Sequence, residues 1–169
     1  GLAYATEDRK TYGLNLIDHI KHNVTMANLR DVSRGGIIDD LKEFAVAQEY
    51  RTRTRLRSSS VYQTTGQLSG GNQQKVVLSK WLFAGPDALI LDEPTRGIDV
   101  GAKAEIYHLI YQALASGMGV LVVSTDFEEV AGICHRAIVF SRGLAVAELT
   151  GAQLSTESLI QAASAGEAA

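Results

Sequence analysis

Two short runs, Ala88-Leu89-Ile90-Leu91 and Val120-Leu121-Val122-Val123, constrain the fold most. Neither alternates apolar with polar, so both faces of each must be covered, as in the strands of a parallel sheet. Between them Ile106, Leu109, Ile110 and Leu114 recur at helical spacing, which predicts a helix over 102–115 ended by Gly117 and Gly119. Strand, helix and strand in that order make a crossover between parallel partners, so the fold class is α/β. Leu2 to Ala5 reads as a further short strand. Phe127 to Ala131 reads as a short helix, and 137–140 and 144–147 as hairpin strands around Ser141-Arg142-Gly143. A small helix at 156–163 precedes an Ala/Gly-rich tail that is expected to fray. Upstream, the stretch from about Val24 to Leu82 is mostly helical. After the break at Gly35-Gly36, Ile37, Ile38, Leu41, Phe44, Ala45 and Ala47 predict a helix reaching Tyr50.

At 169 residues and 46% apolar, the chain suits one domain with a sizeable core. A net charge of −3 and a pI near 5.8 argue against nucleic acid as a partner. The comb Arg51, Arg53, Arg55 and Arg57 reads as a solvated extended edge rather than a nucleic-acid patch. Cys134 stands alone, which excludes a disulfide within the chain and fits a reducing compartment. No apolar run approaches the ~20 residues of a membrane helix. The chain opens without an initiator Met and directly on a strand-like segment, which predicts a start inside a domain. His19 and His22 share a spacing of three but lack a third ligand, and His108 and His135 are scattered, so no zinc site is expected. Trp81 sits at a core position of its helix.

Candidate chemistry gathers at two places. Leu91 is followed by Asp92-Glu93-Pro94, which sets two carboxylates at the carboxyl end of a buried strand, where α/β sheets bind ligands. Asp92 suits Mg²⁺, and Glu93 suits polarising a water for attack on a γ-phosphate. By itself such a pair is also what an ordinary strand-to-loop exit carries. The second place is Leu68-Ser69-Gly70-Gly71-Asn72-Gln73-Gln74-Lys75, ahead of Val76, Val77, Leu78, Trp81 and Leu82. Ser69 is expected to cap this helix, and the two glycines let a ligand approach the backbone. The positive helix end then offers N–H groups to a phosphate. There is no lysine placed as in a Walker A loop, so this stretch suits the far side of a phosphate held elsewhere.

The combination resembles the ATP-binding subunits of ABC transporters. Leu68 to Gln74 is similar to the family's signature motif, with Asn72 where many members carry Gln. Ala88 to Glu93 resembles Walker B and its catalytic glutamate, and Thr95-Arg96-Gly97-Ile98-Asp99-Val100 resembles the D-loop. Asn72-Gln73-Gln74-Lys75, Arg96 to Gly101 and Glu7-Asp8-Arg9-Lys10 look like one branch, the second nucleotide-binding domain of ribose, xylose and galactose importers.

That resemblance implies a partial RecA-like P-loop NTPase sheet carrying a helical signature subdomain. The subdomain would span about 20–84, the core sheet 85–150, and a C-terminal helix and tail 151–169. It implies ATP and Mg²⁺ as ligands. Ser69, Gly70, Gly71, Asn72 and Gln73 would face ATP held by a partner nucleotide-binding domain. Asp92, Glu93, Asp99 and Glu7 would serve this domain's own ATP. It further implies membrane permease subunits, a periplasmic sugar-binding protein acting indirectly, no nucleic acid, and a peripheral place on the cytoplasmic face of the bacterial inner membrane. Three departures limit it. No Gly-x-x-x-x-Gly-Lys-Ser/Thr occurs in the 169 residues, and in the family that loop lies upstream. Glu7 stands at the Q-loop position usually held by Gln, and Thr125 at the H-loop position usually held by His. The alternatives are a regulatory half that only completes a partner's site, and a non-transport ABC ATPase acting on DNA or the ribosome.

Overall fold

The computed structural model describes residues 1–165. Seven strands and six α-helices follow one another within them. In chain order they are β1 (Leu2–Ala5), α1 (Ile20–Thr25), β2 (Ser33–Arg34), β3 (Ile37–Ile38), α2 (Asp40–Arg53) and α3 (Gly70–Ala84). Then come β4 (Ala88–Asp92), α4 (Val100–Ala115), β5 (Gly119–Val123), α5 (Phe127–Ile133), β6 (Arg136–Ser141), β7 (Leu144–Thr150) and α6 (Thr156–Ala165). The described residues fall into two compact units, 1–123 and 124–165. The expected frayed tail, 166–169, lies outside the described residues.

The first unit is built on a parallel sheet ordered β1-β4-β5, with Ala5 opposite Leu91 and Asp92 opposite Val123. The central strand, β4, buries Leu89 and Leu91 almost completely. Strand β5, last in the order, does not meet the expectation of cover on both faces: Leu121 and Val123 are about half exposed, and Val120 and Val122 are only partly buried. The link from β1 to β4 carries the helical segment, and α4 makes the crossover to β5. Helix α3 is the axis of this unit, with every residue from Gln73 to Lys80 buried. Burying two lysines is tolerable only because both are satisfied. Lys75 donates to the Arg55 carbonyl at 2.8 Å and pairs with Glu105 at 2.6 Å. Lys80 donates to the Gly13 carbonyl at 2.6 Å, and burial pushes its pKa down. Lys21 is likewise buried, between Glu43 at 2.8 Å and Asp40, and Thr25 donates its hydroxyl to Glu43 at 2.7 Å. This polar network joins α1 to α2.

Several local expectations are corrected. Ile37 and Ile38 form a hairpin strand, not the first turn of a helix; α2 starts at Asp40 because Asp39 caps it, accepting from the Leu41 and Lys42 N–H groups. The arginine comb is not an extended edge. Arg51 and Arg53 end α2, and Arg55 turns the chain at φ +50°. Trp81 is half-buried rather than core, with the Lys80 ammonium 4.6 Å from its ring centroid. His22 also pairs with Asp18, four residues upstream, at 2.7 Å. Among the described residues no group of three or more His, Cys, Asp or Glu is placed to hold a metal ion, and no helix is long and apolar enough to cross a membrane.

The second unit folds on its own small core. Helices α5 and α6 cover one face of the β6–β7 hairpin, enclosing Ala137, Val139 and Leu159. Arg142 and Gly143, both at positive φ, make the tight turn that suits right-twisted strands.

Candidate functional site

The carboxyl end of β4 is a bent exit. The Glu93 N–H still donates to the Val123 carbonyl at 2.8 Å, which extends the ladder one residue past Asp92. Glu93 itself then sits at φ +46°. A left-handed conformation costs a non-glycine residue on the order of 1–2 kcal/mol. An ordinary strand exit would place Gly or Asn there. The adjacent Asp92 accepts from the Tyr4 hydroxyl at 2.6 Å, and this bond raises the Tyr4 pKa. Tyr4 lies on β1 beside Ile90, so the parallel register delivers that hydroxyl. A carboxylate has further lone pairs for a cation. Among the described residues no cluster of ligands surrounds Asp92, so a Mg²⁺ there would take oxygens from a nucleotide's phosphates, which is its usual habit.

Beyond Pro94 the chain turns tightly, with Arg96 N–H donating to the Glu93 carbonyl and Ile98 N–H to that of Thr95. Asp99 then caps α4, its Oδ1 accepting from the Ala102 N–H at 2.9 Å.

Helix α3 starts differently. Ser69 occupies the N-cap position with extended backbone angles, yet its side chain caps nothing. This corrects the expectation. The hydroxyl oxygen instead accepts from the Asn72 side-chain amide at 3.0 Å. The first helical bond is donated by Gln73, to the Ser69 carbonyl. The N–H groups of Gly70, Gly71 and Asn72 precede it and have no intrahelical acceptor.

Gly71 is sterically required, and Gly70 is closely packed. A Cβ on Gly71 would lie 2.6 Å from the Ala102 Cβ, so α3 and α4 touch there. A Cβ on Gly70 would lie 2.8 Å from an Arg9 guanidinium nitrogen and 3.3 Å from the Gly97 carbonyl. The signature stretch and the 95–99 loop therefore form one body. Ser69, Gly71, Asn72, Asp99, Arg57, Lys75 and Glu105 are among the residues around a cleft of about 170 Å³ at their junction.

A second cleft of about 420 Å³ is lined by Glu7, Asp8, Arg9, Lys10 and Arg96. Glu7 pairs with Arg96, and Arg9 donates to the Arg96 carbonyl at 3.2 Å. Burial lowers the Arg9 pKa, against a smaller opposing pull from Asp8. The structure thus brings Glu7, Asp92, Glu93, Asp99 and Ser69 to Gln73 into the first unit. Gln73 points inward and is buried, so it lines neither cleft. Thr125 belongs to the second unit, between Ser124 and Asp126, whose N–H donates to the Ser124 hydroxyl at 3.1 Å. Sequence reasoning gave Tyr4 no role; it named Arg9 and Arg96 only within the motifs that carry the resemblance and read Arg57 as part of a solvated edge, so none of the four was assigned to the site.

A family model described as ABC transporter matches residues 6–96. The chain belongs to the ABC transporter family. This ABC chain is 46% identical over 161 residues to the L-arabinose transport ATP-binding protein AraG of Geobacillus stearothermophilus. It is 44% identical over 167 residues to the xylose import ATP-binding protein XylG of Geobacillus kaustophilus. These alignments cover 95% and 99% of the chain but 31% and 33% of the relatives, so it spans about a third of their length. Among solved structures it is similar to the ATP-binding cassette MJ0796 in a dimeric post-hydrolysis state with ADP and Pi, with a TM-score of 0.73 and 24% identity. That match covers 88% of the chain and 62% of the cassette. The cassette MJ1267 gives a TM-score of 0.74 at 18% identity, over 99% and 66%. The fold is that of an ABC cassette.

Proposed function

We propose that the chain is part of a nucleotide-binding domain whose ATP binding and hydrolysis drive monosaccharide import. The observation that carries this is the uncapped, glycine-lined start of α3, fused to the 95–99 loop around one cleft. Such a surface completes a phosphate site supplied by another domain. Ser69 and the N–H groups of Gly70, Gly71 and Asn72 bind the γ-phosphate of ATP held by the partner nucleotide-binding domain. Asp92 would hold Mg²⁺, which would neutralise phosphate charge, and Glu93 would orient and polarise the attacking water of this domain's own ATP. Asp99 joins the two sites. The names of the relatives support a sugar as the cargo. Permease subunits, a sugar-binding protein acting through them, and a peripheral place on the cytoplasmic membrane face follow from that reading.

A second reading is favoured by Glu7 and Thr125, which stand where a Gln and a His usually do. The Glu7 charge is met by Arg96, so that position is occupied by an ion pair. On this reading the domain binds ATP and completes its partner's site without hydrolysing its own.

Replacing Glu93 with Gln in the full-length importer separates the two. A hydrolysing domain loses on the order of 100-fold or more of its own turnover while still binding ATP. Unchanged turnover and uptake would leave only the second reading.

A further inference from the structure

We propose that Asn72 is a positioning residue that fixes Ser69 as a hydrogen-bond donor toward phosphate, an inference resting on the phosphate-binding role given above to the start of α3. Two bonds set this polarity. The backbone N–H of Arg57 points at the Asn72 side chain at 3.0 Å. A backbone N–H can only donate, so the atom facing it is the amide oxygen. The amide nitrogen must then face Ser69, as it does at 3.0 Å. That nitrogen can only donate, so Ser69 Oγ accepts from it. One lone pair is thereby used, and the hydroxyl proton cannot be aimed at Asn72. It is left to donate elsewhere, and both side chains line the cleft shared with Asp99 and Arg57.

The same bond accounts for the missing cap. A serine at an N-cap position normally turns its oxygen inward to the second or third N–H of the helix. Here Asn72 draws the oxygen into a side-chain bond, so the first-turn N–H groups and the hydroxyl proton remain together for one anion. Arg57 contributes through its backbone, which the turn after α2 brings to Asn72. Its guanidinium reaches toward Glu105 at 3.5 Å and is mostly exposed.

The test is a double-mutant cycle in the full-length importer, read as the KM for ATP alongside kcat. Asn72→Ala removes the orienting amide, and Ser69→Ala removes the hydroxyl. Each alone is expected to raise the KM for ATP by roughly ten- to a hundredfold, as loss of a hydrogen bond to a charged group does. The double variant is expected to be no worse than Ser69→Ala, because Asn72 acts only through Ser69. Multiplying losses would overturn the proposal. An unchanged KM in Asn72→Ala with a raised KM in Ser69→Ala would overturn it as well, while sparing the phosphate role of α3. An unaffected Ser69→Ala variant would instead remove that role itself. If Asn72→Ala melts early, Asn72→Leu keeps the branched side-chain shape without the amide and repeats the cycle.

Discussion

Two helices begin at the same cleft and are finished in opposite ways. The start of α4 is closed, with Asp99 accepting from the Ala102 N–H. The start of α3 is open, with Ser69 turned aside and three N–H groups ahead of the first helical bond. A closed start contributes to stability, whereas an open start forgoes that contribution and keeps donors for a ligand. The two starts are in van der Waals contact through Gly71 and Ala102, so the contrast is not one of environment alone.

The largest expected effect comes from forcing the two starts apart. Gly71→Ala puts a methyl 2.6 Å from the Ala102 Cβ, and both helices must give way. Overpacking of this kind costs about 1–3 kcal/mol. A lowered melting temperature and loss of ATP turnover are expected in the full-length protein; an unperturbed variant would mean that the helices are not held in register here.

The contrast itself is sharpened by two cap variants. Asp99→Ala is expected to lower stability by about 1 kcal/mol through loss of the α4 cap. Ser69→Ala is expected to change stability by less than about 0.5 kcal/mol, because no cap is lost. Urea unfolding of both reads the difference directly. Equal losses would break the comparison.

A smaller effect is pH-dependent. The hydrogen bond from Lys75 holds the Glu105 carboxyl below the usual carboxylate range, against a lesser contrary effect of burial. Its folded pKa is depressed, so the stabilisation is fully present above the unfolded value of about 4.3 and is lost as pH falls through the folded value. Glu105→Gln should flatten the acid limb of the stability profile by about 1 kcal/mol or less, since the pair is partly solvated. The slightest effect is expected of Tyr4→Phe, which removes one bond to Asp92. The Mg²⁺ concentration needed for half-maximal ATP turnover should rise by a few-fold with little change in melting.

The sheet was largely legible. Leu2–Ala5 is observed as expected, and the apolar runs at 88–91 and 120–123 lie in paired parallel strands. Cover on both faces does not hold for the second run: Leu121 and Val123 of β5 stay about half exposed, so an uninterrupted apolar run marks a strand more surely than it marks burial. The helical segment was less so. Ile37 and Ile38 continue a helical period in the sequence but lie in a hairpin, because Asp39 caps α2 after them. Phase alone cannot place a helix start when a capping side chain competes.

The residue types of the candidate site were also determined by the sequence alone. Gly70 and Gly71 ahead of a helix, and Asp92-Glu93-Pro94 after a buried strand, are local patterns, and local patterns are what a sequence records. Only the tertiary structure decided how those residues are set. Ser69 gives up its cap because Asn72 is itself held by a backbone N–H fifteen residues upstream. Asp92 is met by a hydroxyl from the neighbouring strand, and the Glu7 charge by Arg96 from beyond β4. Each of these depends on a hydrogen bond or ion pair between distant segments, whose direction and register exist only once the chain has closed on itself.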